Sequence, residues 1–240
     1  MAARKINKAK LMVAALLLGF AALLLYQFGL LVMVLWLSVR NPGSSAFMDA
    51  TLTELRASNP KAEIEYHWTP YENISTNLKR AVVASEDANF TAHEGVEWEA
   101  IRKAWEYNQK QEERGRSKRR GGSTITQQLA KNLFLSSSRS YWRKGQELIL
   151  TYMIEFTMSK QRILELYLNV AQWGVNVFGA QAAARHYYKT DASRLSQYQA
   201  ATLAAMLPNP AYYDAHRSTG YLRSRAATIQ KRMHMVAIPK

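Results

Sequence analysis

Apolar residues are distributed in two ways along this chain, as one continuous run near the N-terminus and periodically after it. Residues 11–37 contain no Lys, Arg, Asp or Glu, and Gln27 is their main polar interruption. A helix needs about 20 apolar residues to span a bilayer, so this run predicts a retained transmembrane helix. A cleaved signal peptide is the alternative interpretation, but its apolar region would be only about 7–15 residues long.

The chain after this run shows helical rather than strand periodicity. Apolar residues from Leu78 onward share one helix face, and Ser75 or Thr76 is the expected N-cap of that helix. A second amphipathic segment runs from Gly145 to Met158, and Ser159 is expected to cap the helix that follows. There is no internal repeat and no long alternating pattern. The pattern therefore predicts a mainly α fold.

The two patterns divide the chain into four segments. We expect an N-terminal segment at 1–10, a transmembrane helix at 11–37, a linker and membrane-proximal segment at 38–73, and a folded domain at 74–240. Within that domain, the charge-dense stretch 102–120 has two interpretations, a solvated helix end or a mobile loop.

The chain is strongly basic, with a formal net charge of +14, and it has no cysteine. Arg4, Lys5, Lys8 and Lys10 precede the apolar run without any acid among them, which predicts a cytoplasmic N-terminus and places the rest outside. Residues 38–240 carry the remaining +10 and would attract anionic headgroups or an anionic substrate. Nucleic acid is another anionic partner that such a charge could bind. The predicted orientation argues against it, because nucleic acid is scarce outside the membrane. Without cysteine, disulfides and thiolate metal sites are excluded.

An acidic pair, Glu86 and Asp87, lies where the helix that starts near Ser75 is expected to end. The helix dipole disfavours a carboxylate at this end, which suits a general base that has to take up a proton. The alternative is that both are surface acids or caps, because most carboxylates are solvated. His93 is expected to be a hydrogen-bonded structural residue.

The stretch GGSTITQQLAKN, residues 121–132, combines two glycines, three hydroxyl residues and two adjacent amides. Ser123 and Thr124 can cap the following helix, whose free N–H groups would form an anion site. Bases flank this stretch on both sides: Lys118, Arg119, Arg120, Arg139, Arg143 and Lys144. Together these features predict a diphosphate site. It is not a Walker A loop, because the required spacing is absent. A capped helix with a solvated basic face is the alternative.

Glu147 directly follows these bases, and three interpretations of it are open. It could orient Arg143 or Lys144, it could be a metal ligand, or it could be an acid at a helix N-terminus that the dipole stabilises.

Four motifs in this order and spacing resemble glycosyltransferase family 51, whose members make peptidoglycan glycan strands from lipid II. They are EDANFTAHEG, GGSTITQQLAKN, RKGQE and KQRILELYLN, and the resemblance covers about residues 74–210. The length leaves no room for a transpeptidase domain, and the stretch 173–188 matches the monofunctional pattern. We therefore expect a monofunctional member rather than a bifunctional class A penicillin-binding protein.

The resemblance implies a lysozyme-like α-helical fold with a large head and a smaller membrane-facing jaw. It implies that Glu86 is the catalytic base and Glu147 the second essential acid, and that Lys131 and Arg139 hold the donor diphosphate. The residues implied in substrate binding come from these motifs and the segment between them: Asp87, Ser123, Thr124, Gln127, Gln128, Lys131, Asn132, Arg139 and Arg143. Gly145 departs from the third motif, where a larger helix former is expected, and should weaken the first turn of its helix.

The same resemblance implies the reaction and its setting. Lipid II is polymerised into β-1,4-linked strands with inversion and release of undecaprenyl diphosphate. A divalent cation, Mg²⁺ or Mn²⁺, is implied on the donor diphosphate, with a lysine as the alternative, and no organic cofactor is expected. The expected partners are lipid II, the growing strand, membrane lipid and proteins of cell-wall synthesis or division, but not nucleic acid. The expected location is the inner membrane, with one span and a periplasmic catalytic domain.

Two other functions are open alternatives to this one. A membrane-anchored lytic transglycosylase or muramidase would share the fold class and a catalytic Glu, but it would cleave finished peptidoglycan. A non-enzymatic scaffold would use the basic face to bind anionic lipid.

Overall fold

The computed structural model describes three stretches of the chain: residues 8–116, 121–135 and 141–239, with the side chain of Tyr141 excepted. Arg4 and Lys5 of the predicted cytoplasmic segment lie outside them. The chain divides into two compact units, Met1–Arg40 and Asn41–Lys240, and each is described by itself.

The described part of the first unit is one long helix, α1 (Lys8–Val39). Its 32 residues extend about 48 Å at 1.5 Å per residue, which exceeds the roughly 30 Å hydrocarbon core of a bilayer. Among the described residues, α1 is the helix that is long and apolar enough to cross a membrane, judged by length and composition alone.

The second unit is built mainly of helices, which confirms the predicted fold class. In chain order they are α2 (Ala46–Ser58), α3 (Thr76–Glu86), α4 (Trp98–Glu113), α5 (Ile125–Phe134), α6 (Tyr141–Thr157), α7 (Lys160–Val170), α8 (Ala180–Tyr188), α9 (Gln197–Met206), α10 (Pro210–Ala215) and α11 (Gly220–Arg232). Two short strands, β1 (Glu65–Tyr66) and β2 (Val177–Phe178), pair in parallel with Glu65 opposite Val177.

Hydroxyl side chains cap the N-termini of several of these helices, where the first backbone N–H groups have no partner within the helix. Ser75 caps α3 and Ser159 caps α7, each accepting a hydrogen bond from the N–H three residues later, as predicted. Of the two candidates for α5, Thr124 is the cap, and it forms a capping box with Gln127. Each such cap contributes about 1 kcal/mol.

One cluster of helices forms around α9, which packs against α3 and α11. Ala200, Ala201, Ala204 and Ala205 of α9 are fully buried. Their small side chains let the neighbouring helices approach closely, as the alanine-rich sequence indicates. This packing fixes α3, and with it the position of Glu86 at its end.

A second cluster places α5 against α6 and α7. Leu129 of α5, Leu150 of α6, and Ile163 and Leu164 of α7 are fully buried, and burying each such side chain contributes about 1.5–3 kcal/mol. The helix that carries the amides and Lys131 is thereby held between two others.

The start of α6 differs from the sequence prediction. Within the described residues the helix already includes Tyr141, rather than starting near Gly145, because Arg143 and Lys144 continue the helical backbone without adding to the apolar face. Gly145 therefore lies beyond the first turn, and the expected weakening of the first turn is wrong.

The charge-dense stretch 102–120 is helical as far as Glu113. Arg102 is paired with Glu99 at 2.7 Å and with Glu106 at 3.0 Å, and pairs at these spacings support an exposed helix. The helix interpretation is confirmed up to this point.

Candidate active site

Glu86 is the last residue of α3, and two neutral groups hold its carboxylate. Ser85 Oγ donates to Oε1 at 3.0 Å, and Nε2 of Gln128 on α5 donates to Oε2 at 3.1 Å. The Glu86 side chain is 12% exposed, so it is sheltered but accessible. These two hydrogen bonds orient the carboxylate, which as an acceptor can take up a further proton.

Tyr167 of α7 lies behind Gln128. Its hydroxyl donates to Gln128 Oε1 at 2.9 Å and so turns the amide Nε2 toward Glu86. Burial, with the charges of Glu86 and Asp87 nearby, raises the pKa of Tyr167 well above its ordinary value, so the hydroxyl keeps its proton. Sequence reasoning did not assign Tyr167 to the site, although it belongs to the motif KQRILELYLN, because its place on an apolar helix face indicated a core residue.

Asp87 is buried, and its carboxylate binds the backbone at the start of α5. Its Oδ2 accepts a hydrogen bond from the N–H of Ile125 at 3.0 Å, and the N–H of Gln127 bonds to the cap, Thr124. The N–H groups of Ile125 and Gln127 are therefore not free, because side chains of the protein accept their hydrogen bonds. Contact between Asp87 and substrate stays a prediction.

Asp87, His93 and Glu97 bring three potential metal-ligand atoms within 4.8 Å of one another, but the hydrogen bonds of His93 do not fit a metal. Its Nδ1 accepts from the N–H of Gly95 at 3.1 Å, so the neutral ring carries its proton on Nε2, which faces Asp87 at 2.9 Å. A metal would need an unprotonated Nε2. Glu97 in turn accepts from Asn89 at 2.7 Å. His93 thus has the structural role that was predicted.

The other predicted residues around α5 differ in accessibility. Thr124 and Gln127 are buried, and their side chains bond to backbone groups near the helix start. Asn132 is buried as well, whereas Ser123 is exposed. Substrate binding by these four residues stays a prediction.

Lys131 is half-buried on α5 among charges of both signs. Burial lowers the pKa of its ammonium group below the ordinary value for lysine. The carboxylates of Glu147 and Glu86 oppose this effect, whereas the cations of Arg143 and Lys144 add to it. The fold therefore brings the two predicted acids and three of the predicted bases into one electrostatic neighbourhood.

Glu147 is buried on α6 and paired with two cations from the preceding turn. Nη1 of Arg143 lies 3.1 Å from Oε2, and Nζ of Lys144 contacts Oε1. This geometry supports the interpretation in which Glu147 orients bases. The helix-terminus interpretation is wrong, because α6 already includes Tyr141 and the dipole acts mainly within the first turn.

We refer to Lys131, Arg143 and Lys144 as the basic cluster. It lies beside Glu147 and within electrostatic reach of Glu86. The predicted Arg139 and the bases at 118–120 lie outside the described residues.

The site thus combines a carboxylate held by neutral donors with a cluster of cations. The carboxylate can take a proton from an attacking hydroxyl, and the cations can stabilise negative charge that develops on a departing group. This combination suits transfer from a donor whose leaving group is already an anion.

The chain is similar to known proteins along nearly its whole length. The family described as Transglycosylase matches residues 52–234. The "Biosynthetic peptidoglycan transglycosylase" of Bordetella pertussis (strain Tohama I) is 65% identical over 237 residues, 99% of this chain and 98% of the relative. The protein of the same name in Janthinobacterium sp. (strain Marseille) is 55% identical over 90% of this chain and 92% of the relative. The one in Laribacter hongkongensis (strain HLHK9) is 55% identical over 95% of this chain and 96% of the relative.

Proposed function

Because this chain belongs to the transglycosylase family, we propose that it polymerises lipid II into β-1,4-linked glycan strands and releases undecaprenyl diphosphate. The activity class, peptidoglycan glycosyltransferase, follows from the family and from the name that these relatives share. The expected family, and its monofunctional kind, are confirmed in the same way. The roles of individual residues below are the proposal.

Glu86 acts as the general base. It takes the proton of the acceptor's 4-hydroxyl while that oxygen attacks the anomeric carbon of the donor. The observation that carries the proposal is that both oxygens of Glu86 accept hydrogen bonds, from Ser85 and Gln128. A lytic enzyme would need a carboxylic acid that donates a proton to its leaving group, whereas a departing diphosphate needs cations, which the basic cluster supplies.

The basic cluster receives the leaving diphosphate. The bond from the anomeric carbon to the diphosphate oxygen breaks with its electron pair on oxygen, so the departing group needs cations more than a proton. Lys131 and Arg143 bind it in this proposal, together with Arg139 as the resemblance implies. Glu147 holds Arg143 and Lys144 in place and does not itself react.

The described residues fit a divalent cation poorly. Both oxygens of Glu147 are engaged by cations, His93 presents a protonated Nε2 to Asp87, and the basic cluster would repel a metal ion. We propose that the basic cluster neutralises the diphosphate without a metal held by these side chains. EDTA should then leave most of the polymerising activity. A loss that added Mg²⁺ restores would contradict this proposal.

We also propose that α1 crosses the inner membrane once, with the N-terminus cytoplasmic and the catalytic domain periplasmic. The length and composition of α1 support the span, and the basic residues before it support the orientation. The segments 1–10, 11–37, 38–73 and 74–240 are part of this proposal. Such a tether would keep the enzyme near lipid II, membrane lipid and the growing strand. Proteins of cell-wall synthesis or division are its proposed further partners.

The test compares the detergent-solubilised full chain with Glu86→Gln on labelled lipid II. We expect long glycan strands from the wild type alone. Equal polymer from Glu86→Gln would contradict the role of Glu86. Soluble muropeptides from purified sacculi, without polymer from lipid II, would support the lytic alternative. Folded wild type without either activity would support the scaffold.

A further inference from the structure

Arg225 of α11 approaches the side of Glu86 that Gln128 does not reach. Its Nη2 donates to Ser85 Oγ at 3.2 Å and lies 3.9 Å from Glu86 Oε1. Ser85 Oγ in turn donates to that same Oε1 at 3.0 Å. The guanidinium therefore acts on Glu86 directly through its charge and indirectly through a hydroxyl that is polarised along the chain of hydrogen bonds.

The packing of α11 fixes the position of this arginine. Leu222, Ala226, Ile229 and Met233 form a buried stripe, and α11 packs against α9 and α3. Arg225 directly precedes Ala226 and so lies at the edge of this stripe, beside the end of α3. Sequence reasoning assigned no role to residues 220–240, and the packing now supplies one.

Arg225 is partly accessible beside Glu86. Its side chain is 31% exposed, while its Nε is buried and has no hydrogen-bond partner among the described residues.

We propose that Arg225 is a positioning residue for the general base. Together with Ser85 it holds Oε1 of Glu86, while Gln128, oriented by Tyr167, holds Oε2. The carboxylate is thereby fixed from both sides in the orientation that meets the acceptor hydroxyl. This inference rests on the proposed function, in which Glu86 is the base.

The experiment uses three variants of the full chain in the lipid II assay. Arg225→Gln removes the charge and keeps an amide donor, whereas Arg225→Lys keeps the charge. Arg223→Gln is the matched control, because Arg223 is exposed on the same helix and its Nη1 donates to Ser218 O, away from Glu86. All variants that remove a charge change the net charge equally.

We expect kcat of Arg225→Gln to fall about tenfold while KM for lipid II changes less than about twofold. Arg225→Lys should recover most of the loss, and Arg223→Gln should stay close to wild type. Wild-type kcat in Arg225→Gln would overturn the proposal. So would an equal loss in Arg223→Gln, or no recovery in Arg225→Lys.

A second variant decides the matter if Arg225→Gln fails to fold. Ser85→Ala removes the intermediate hydroxyl with little change in volume and should lower kcat about threefold. Unchanged kcat in Ser85→Ala would overturn the proposal.

Glu86→Gln in the same assay separates this inference from the proposed function. If Glu86→Gln polymerises lipid II as the wild type does, the role of the base fails, and this inference fails with it. If Glu86→Gln is inactive while Arg225→Gln is fully active, only the inference about Arg225 is wrong.

Discussion

Glu86 and Glu147 are two carboxylates that both act on Lys131, yet their partners differ. Glu86 accepts hydrogen bonds from a hydroxyl and an amide, whereas Glu147 is paired directly with Arg143 and Lys144. Neutral donors orient a carboxylate and leave it able to take a proton, while two direct ion pairs commit it to holding cations. The same residue type thus serves two roles that its neighbours decide.

Burial adds to this contrast. The Glu86 side chain is 12% exposed and the Glu147 side chain 5%. The cation closest to Glu86 among the described residues, Arg225, lies 3.9 Å away, beyond direct hydrogen-bond distance. Glu86 can therefore meet a substrate hydroxyl, and Glu147 is better placed to support the cations that do.

Glu86→Gln should have the largest effect on activity and only a small effect on the fold. We expect polymerisation of lipid II to fall about 10³-fold, because the amide cannot take the proton. The melting temperature should change by less than about 2 °C, because the side chain remains similar in size and partly exposed. Thermal unfolding measured beside the lipid II assay checks both parts, and a large drop in melting temperature would contradict this contrast.

Glu147→Gln should reduce both activity and stability. We expect about a 10²-fold loss of activity, because Arg143 and Lys144 lose the charge that holds them. The melting temperature should fall by about 2–4 °C, the change that about 1 kcal/mol produces in a domain of this size. The fall in melting temperature stays modest because Lys144 is exposed and solvent screens its pair with Glu147.

An exposed ion pair provides the control for Glu147→Gln. Glu106 pairs with Arg102 on the surface of α4. Glu106→Gln should therefore change neither the activity nor the melting temperature measurably. If Glu147→Gln proves as stable and active as Glu106→Gln, the distinction between the two acids is wrong.

Lys131→Met should weaken donor binding and yet increase stability. The loss of the cation should raise KM for lipid II about tenfold. Because burial lowers the pKa of Lys131, the charged form reduces the stability of the folded state, and that cost is fully present at pH values below the lowered pKa. Methionine removes the cost, so the variant should melt at a higher temperature.

The pH dependence of this stability difference has a definite sign. As pH rises from the lowered pKa of Lys131 toward the ordinary value of 10.5, the wild type loses the buried charge, so the advantage of Lys131→Met should shrink. Thermal unfolding at neutral and alkaline pH measures this, with the exposed Lys103→Met as control. An advantage that grows with pH would contradict the assignment.

Tyr167→Phe should have the smallest effect on activity, and it tests whether Tyr167 orients the amide that holds Glu86. Loss of the hydroxyl frees the Gln128 amide to rotate, and we expect kcat to fall about threefold with little change in KM. Tyr152→Phe, at an exposed tyrosine of α6, is the matched control. Equal kcat values in the two variants would show that Tyr167 only fills space.

Local signals predicted much of the fold and several parts of the site. Ser75 and Ser159 cap the helices that the sequence indicated, and Glu86 ends the helix that Ser75 caps. The start of α6 was missed because Arg143 and Lys144 do not extend its apolar face. The contact of Asp87 with the start of α5 was missed for another reason, since Asp87 accepts from a backbone N–H that lies 38 positions later in the sequence.

The sequence by itself determined the features that depend on neighbouring residues: the apolar helix α1, the caps, the helical class and the identity of the chemical groups. These arise from interactions within about one helical turn. The tertiary structure decided which groups serve Glu86. Tyr167 reaches Gln128 across 39 residues, and Arg225 reaches Ser85 across 140. Such contacts exist only once the packing of α7 on α5, and of α11 on α3, has placed distant side chains together, and no local pattern encodes that placement.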